Sequence, residues 1–431
     1  MPVKHIIFQN GERYPMLLNE DGVPDFWVTL YVTDHLRIKS KQSSITNALS
    51  HLVHLQLWEA INTRSLIEEI SDGNFPSDQD VYSLRDHCRV ETASLKNWHE
   101  CQSTKSVVKF AAASTASVGN FHTVSMRHTY NRLTQIGYFL EYVSKVVLRS
   151  RIKHEAQLTK SIEGMRNRIL ANRPKGSGSK GLASDPNTKA PPPKVFERFM
   201  EVVDENSPDN PFKSASTRLR NGLMFEIMYW TGFRSGELLG LQVADIDFQS
   251  NYISVIRRHD AKEDLRARQP VAKTNERRVQ VKRETIDRLR YYIMEIRAKI
   301  DPAIKHPYLF VTHKRGEHWG KPLSDSAFVL ILNTIKSVEP EVLDEIKRHG
   351  FRHNSNYLLS KRIDDANKAA KSDPNRNPIN EKQEIQIRKE IYGWSSDKSA
   401  EVYNHRHVRE QADRLMREDM DHWTEFTKKG K

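Results

Sequence analysis

The sequence predicts a mainly α-helical protein with a small antiparallel β-sheet, divided into a helical N-terminal part and a mixed C-terminal part. Three features of the chain predict this. Apolar residues recur at three- and four-residue intervals through long stretches, which lines them along one face of a helix. Short runs rich in β-branched and aromatic residues stand near the N-terminus and again between residues 252 and 311. Between the halves lies N-R-P-K-G-S-G-S-K-G-L-A-S-D-P-N-T-K-A-P-P-P at 172–193, too poor in apolar surface to fold by itself and therefore a linker.

Taken in order, His5–Phe8 and Arg13–Leu18 flank Asn10-Gly11, a hairpin turn signal, and Phe26–Thr33 is a further strand-like run. Residues 1–40 are thus expected to be a small β unit. From Ser43 the period changes: Ile45, Leu49, Leu52 and Leu55, then Leu133, Ile136, Leu140, Val143 and Val147, mark amphipathic helices and place a helical domain at 41–171. After the linker, Leu219, Leu223, Ile227 and Trp230 line a helix stopped at Thr231-Gly232. Strands are expected at Tyr252–Ile256, Arg278–Val281 and Tyr308–Val311, and helices at Thr285–Ile300, Ser326–Lys336 and Ile346–Ser360. Residues 361–384 are polar without an apolar period and are expected to be a surface loop. The stretch 405–431 is charged and helix-prone, with Val408, Leu415, Met416, Met420, Trp423 and Phe426 as a sparse apolar face, and is expected to be a tail helix.

Composition narrows the partners. Across 431 residues, 68 Lys and Arg outnumber 55 Asp and Glu, and the net charge of +13 points to a polyanion, because clustered cations gain free energy by releasing counterions from nucleic acid. Cys88 and Cys101 are the only cysteines, too few for a disulfide framework or a four-thiolate zinc site, which suits a reducing compartment. No run approaches the roughly 18 apolar residues that span a bilayer. A cytoplasmic, DNA-associated protein without membrane contact is expected.

Three blocks carry chemistry: T-G-F-R-S-G-E-L-L-G-L at 231–241, H-G-F-R-H at 349–353 and G-W-S-S-D-K-S-A-E-V-Y at 393–403. They supply two arginines, a histidine, an indole and a phenol. Displacing an alkoxide from a phosphodiester spreads negative charge over the phosphorane oxygens, and arginine meets it with a planar fork of donors that never deprotonates. These parts can break such a bond through a covalent phosphotyrosine with no metal and no other cofactor. His349 and His353 stand four apart, as paired metal ligands can, but no glutamate lies between them and no further ligand is evident nearby. A metal site is not expected.

The chain from roughly 195 to 412 resembles the catalytic domain of the tyrosine recombinase (phage integrase) family. The first block is similar to the family's first-arginine box and places its catalytic arginine at Arg234, with Glu237 at the box's acidic position. H-G-F-R-H is similar to the H-x-x-R box, giving His349 and Arg352, and G-W-S-S with the following tyrosine gives Trp394 and the nucleophile Tyr403, nine residues apart as is usual. The family's remaining catalytic element, a lysine on a β-hairpin, falls at Lys273 in A-K-T-N-E, with Lys262 and Lys282 left open as alternatives. Two departures stand out. Arg352 and Trp394 lie 42 residues apart, longer than usual, with the surplus in 361–384, and Asn354 stands where many members carry threonine.

The resemblance implies a helical DNA core-binding domain at 41–171 and a catalytic domain at 194–404. It also implies a site-specific recombinase or integrase of a mobile element, acting on double-stranded DNA through a 3′-phosphotyrosine. A homo-oligomer is implied as well, a tetramer on two synapsed sites, with 405–431 docking on a neighbouring subunit or, alternatively, folding back on its own domain. The competing readings are a type IB topoisomerase-like relaxing enzyme and an inactive DNA-binding regulator. Arg257, Arg258, Arg266, Arg268, Arg277, Arg278, Lys282 and Arg283 of the hairpin region are the candidate surface for the DNA backbone. In the N-terminal domain the corresponding basic residues are Lys105, Lys109, Arg127, Arg132, Lys145, Arg149 and Arg151.

Overall fold

The computed structural model describes residues 3–19, 21–104, 121–152, 156–175, 191–373, 377–397 and 411–420. The chain divides into two units, 1–8 with 13–180 and 9–12 with 181–431. The described residues are mainly helical with two small antiparallel sheets, as the apolar periodicity requires. No described helix is long and apolar enough to cross a membrane.

In the first unit, strands Val3–Ile7 and Arg13–Leu17 pair antiparallel, with Val3 opposite Leu17 and Ile7 opposite Arg13. This hairpin has no core of its own, since Tyr14 and Leu17 join Tyr31, Trp58, Leu140 and Ile162 in one apolar cluster. Phe26–Tyr31 is a helix, prolonged by a π-turn at Val32–Leu36, and not the expected strand. The cause is local. Asp25 accepts a hydrogen bond from the Val28 amide at 2.8 Å, which satisfies an orphan donor at the helix start, and Val28, Tyr31 and Val32 then share a buried face. Helices Gln42–Asn62 and Met126–Val147 carry their stripes inward: Ile45, Leu49, Leu52, Leu55, Leu133, Ile136, Leu140 and Val143 are all buried.

The second unit is built around helix Ala215–Thr231, which packs against Pro193–Val203 and Gly350–Ser372. Phe351 is the pin. Its ring meets Phe196 at 5.2 Å, Phe199 at 5.3 Å and Phe225 at 5.6 Å, and this aromatic knot sets how the 350–372 helix is rotated about its axis. A three-stranded sheet, Ile246–Asp247, Tyr252–Val255 and Arg277–Gln280, lies beside the helices in that order, with Val255 opposite Arg277 and Ile253 opposite Val279. Residues 256–276 join the second and third strands with no strand of their own.

Three expectations change here. Tyr308–Val311 is not a strand and forms only isolated bridges, Gln242 to Tyr308 and Val311 to Pro322. The helix expected at Thr285–Ile300 is α-helical only over Arg283–Tyr291 and then loosens into a π-turn and a 3-10 turn. The expected loop at 361–384 is largely helical: one helix runs to Ser372 and the next begins at Glu381. Its Lys, Arg and Ala residues favour helix, and a mostly solvated helix needs no wide apolar stripe, so the missing period misleads. Pro374 follows the first helix end, and Asn380 caps the next helix by accepting from Gln383 N at 2.9 Å. Between them Asn367 clamps Ile379, accepting from its amide at 2.7 Å and donating to its carbonyl at 3.1 Å.

Buried histidines in the first unit have a measurable consequence. His54 donates from Nε2 to the His87 carbonyl at 2.8 Å, the two rings lie 4.5 Å apart, and Arg132 stands beside them donating to the Cys88 and Val90 carbonyls. Burial, with Arg132 pressing the same way, holds His87 down to about 3. For His51, burial, His128 and Arg132 give about 4, and His54 is depressed too, by burial, His87 and Arg132. These rings stay neutral in the fold while the unfolded chain takes up protons below the ordinary histidine range, so their stabilising contribution is present at neutral pH and is lost as pH falls. Amides of helix Gln42–Asn62 in the intact chain should therefore exchange faster, after correction for intrinsic rates, at about pH 5.5 than at about pH 7.5. Equal protection at both values would exclude the effect.

Candidate active site

Helix Ala215–Thr231 ends at Gly232, whose φ of 64 is left-handed and whose position admits no side chain, since a Cβ there would stand 2.8 Å from the Tyr392 ring. That sharp stop releases Arg234 at the start of the short helix Ser235–Leu239. The Arg234 amide donates to Glu237 Oε2 at 3.2 Å, and its Nη1 lies 3.4 Å from Oε1 while the side chain stays partly open to solvent.

Glu237 is sealed from water yet ionised. Its side chain is 0% exposed, and it accepts from Arg277 Nη2 at 2.7 Å and Thr274 Oγ1 at 2.8 Å, with Arg352 Nη1 at 3.8 Å. Burial alone would raise its pKa, but Arg277 first and Arg352 next outweigh that and hold the carboxyl below its ordinary value. One carboxylate thus ties together the first-arginine segment, the hairpin and the second arginine.

Arg352 follows the pinned Phe351 and is fully buried. It donates from Nη1 to the Gly232 carbonyl at 3.1 Å and from Nη2 to the Tyr392 carbonyl at 2.5 Å. Its guanidinium also stacks 5.0 Å from the Tyr392 ring and 5.6 Å from the Trp394 ring. Trp394 is itself buried, brought round by Gly393, a left-handed glycine that ends helix Glu381–Tyr392. His349 sits at the start of helix Gly350–Ser372, exposed at the site's edge. Crowding by neighbouring atoms and the charges of Arg234, Arg348, Arg352 and Lys273 all push its pKa down, which keeps the ring neutral at neutral pH.

Lys273 lies in the loop just before strand Arg277–Gln280, exposed and with no ion-pair partner among the described residues. It is near enough for its charge to act on His349. Lys282, one of the alternatives, instead stands 5.4 Å over the Trp230 ring. The structure therefore brings together Arg234, Lys273, His349, Arg352 and Trp394, whereas Tyr403 lies outside the described residues.

Several residues expected on the DNA-facing surface are committed to the interior. Arg277 is buried against Glu237, Arg266 is bound to Asp264 and donates to the Leu239 and Leu323 carbonyls, and Arg258 pairs with Asp245. Arg257, Arg268, Arg278, Lys282 and Arg283 remain exposed. In the first unit Arg132 is buried, Lys145 pairs with Glu141, and Arg127, Arg149 and Arg151 are exposed, while Lys105 and Lys109 lie outside the described residues. The sequence reading missed Arg277 as part of the site. Strand alternation would have found it, because Arg277 shares a face with the inward Val279.

Residues 192–370 match the sequence profile of the phage integrase family. The segment is a phage integrase family domain. That match contains Arg234, Lys273, His349 and Arg352 and ends before Trp394. The chain is 26% identical over 180 residues to tyrosine recombinase XerD of Halalkalibacterium halodurans, covering 39% of this chain and 52% of the relative. It is also 26% identical over 178 residues to XerD of Listeria innocua, covering 39% and 54%. The chain thus spans about half the length of the curated relatives it matches. Among solved structures, one of XerH site-specific recombinase bound to palindromic difH substrate is 16% identical, with 90% of this chain and 94% of that chain covered and a TM-score of 0.43. A Tn1549 transposon integrase in complex with transposon right end DNA is 13% identical, with 79% and 100% covered and a TM-score of 0.38.

Within the phage integrase domain, Glu237→Gln keeps the shape but removes the charge that compensates Arg277. Breaking a buried pair from one side costs roughly 3–5 kcal/mol, so the denaturation midpoint of the second unit should fall markedly without change in m. A midpoint equal to the parent's would mean that the pair contributes little.

Proposed function

We propose that this chain is a site-specific DNA recombinase, of the kind carried by mobile elements, that cleaves and rejoins double-stranded DNA through a covalent 3′-phosphotyrosine formed by Tyr403. The observation that carries the proposal is the convergence on Glu237 of three elements distant in sequence, which gathers two arginines, an exposed lysine and a neutral histidine at one edge of the fold. Arg234 and Arg352 would donate to the nonbridging phosphate oxygens and withdraw charge from phosphorus.

The phenolic oxygen of Tyr403 would attack phosphorus and form the O–P bond, passing its proton to His349, which is neutral and so able to accept it. The bond to the 5′ oxygen breaks and Lys273 protonates that oxygen. Trp394 could add an indole N–H donor but no proton transfer. Rejoining reverses these steps with a 5′-hydroxyl from another strand as nucleophile, and the phenol leaves with its proton restored. Tyr392, the tyrosine beside Arg352, is not poised to attack: it is buried, its phenol is bonded to Ser355 Oγ at 3.1 Å, and burial raises its pKa. The reaction joins two sites, so the working form is an assembly of several protomers on DNA, consistent with a basic protein of net charge +13.

Replacing Tyr403 by Phe should abolish a denaturant-stable protein–DNA adduct in chelator-containing buffer while leaving duplex affinity unchanged. An adduct that persists would remove Tyr403 from the role, and a strict metal requirement would indicate another chemistry. Relaxation of supercoils without joining of sites would favour the relaxing-enzyme reading, and DNA binding by the parent with no adduct at all the regulator. Lys273→Ala should slow cleavage of ordinary DNA and recover on a substrate whose 5′-bridging atom is sulfur, a leaving group that needs no proton. Recovery of Lys262→Ala or Lys282→Ala instead would move the general acid to that lysine.

A further inference from the structure

By sequence Arg277 belongs to the basic hairpin, yet its side chain is only 2% exposed and each of three nitrogens bonds a different element. Nη2 donates to Glu237 Oε2 at 2.7 Å, Nη1 to Thr274 Oγ1 at 2.9 Å and Nε to the Ile391 carbonyl at 2.8 Å. The guanidinium lies 5.1 Å over the Phe233 ring. Glu237 belongs to the segment of Arg234, and Thr274 neighbours Lys273. Ile391 begins the short path through Gly393 and Trp394 toward Tyr403.

The backbone closes the same junction. The Asn275 amide donates to the Gly393 carbonyl at 2.9 Å, and a Cβ on Gly393 would stand 2.7 Å from the Asn275 oxygen and 3.0 Å from Arg277 Nη1. Nothing larger than glycine fits between loop and path. A guanidinium can hold three directions at once, whereas a lysine ammonium would have to choose among them with a flexible stem.

We propose that Arg277 is a positioning residue that locks the loop of Lys273 to the segment leading to Tyr403, so that the acid and the nucleophile keep one mutual geometry. The proposal rests on assigning phosphotyrosine chemistry to this site. In-line displacement places the attacking and leaving oxygens on opposite sides of phosphorus, so the two groups serving them must be fixed relative to each other as well as to the arginines. Arg277 touches neither oxygen and acts through the parts that do.

The test uses the full chain on a duplex carrying its target site, captured by adduct trapping from a DNA library, with oxygen or sulfur at the 5′-bridging position. Arg277→Met should bind this duplex like the parent, while its single-turnover cleavage rate falls roughly 100-fold, the scale set by an ångström of misplacement. Sulfur should restore Lys273→Ala completely but Arg277→Met only in part, because the nucleophile's side stays misaligned. Arg277→Lys should fall between Met and the parent.

If Arg277→Met does not fold, Gly393→Ala forces the same junction apart while keeping the ion pair, and should give the same partial rescue. Three results would overturn the proposal: a normal cleavage rate constant with only the folded fraction reduced, complete rescue by sulfur, or parental behaviour of Gly393→Ala. A parent that forms no Tyr403-dependent adduct would instead refute the phosphotyrosine assignment, and with it this one.

Discussion

A carboxylate cannot stay ionised in a dry interior by itself, and the second unit is organised around meeting that constraint at Glu237. Desolvating a charge costs several kcal/mol unless partners of opposite sign and good geometry surround it. Here Arg277 provides the close pair, Thr274 a neutral donor and Arg352 a second positive charge slightly farther off. Because these partners come from the hairpin and from helix Gly350–Ser372, satisfying one buried oxygen pair also fixes the relative positions of three segments, that of Glu237 included. The same negative charge tempers the repulsion among Arg234, Arg277 and Arg352, which could not otherwise share so small a volume.

Apolar packing supplies what the ion pair cannot, namely rotation. Phe351 is locked among Phe196, Phe199 and Phe225, so the next residue on the helix must point about 100° away, toward Gly232 and Tyr392. Pinning one residue to aim its neighbour explains why His-Gly-Phe-Arg-His reads as a functional block although Phe351 has no chemistry of its own. Gly350 and Phe351 face the core, His349 the edge of the site, and Arg352 its interior.

Much of this site is legible in the chain itself. The arginine, histidine and tryptophan blocks are local, so short motifs carry them, and the two helix-stopping glycines announce the turns that precede Arg234 and Trp394. Other features depend on contacts between segments far apart in sequence, and these escape a reading of periods and composition. Arg258, Arg266 and Arg277 look like surface cations because cations usually are, and only their carboxylate and carbonyl partners decide otherwise. Residues 361–372 look like a loop because a solvated helix leaves almost no apolar signature beyond Ile363. Phe26–Tyr31 looks like a strand because β-branched and aromatic residues dominate it, while one capping aspartate reverses the preference.

The two carbonyls that receive Arg352 have a meaning beyond orienting it. Gly232 and Tyr392 each lie at the C-terminal end of a helix, where backbone oxygens lack intrahelical donors and the aligned peptide dipoles leave about half a negative charge. Arg352 is therefore a cap shared by two helices, and the partial charges it neutralises are part of what lets a guanidinium sit in the interior at all. Changing it would leave these two carbonyls without their guanidinium donor as well as removing a cation from the site, so the effect of an Arg352 variant would mix a weakened helix end with the role proposed for the cation. Arg234, whose side chain stays partly open to solvent and donates to no helix-end carbonyl among the described residues, offers the cleaner test of the role proposed for the arginines.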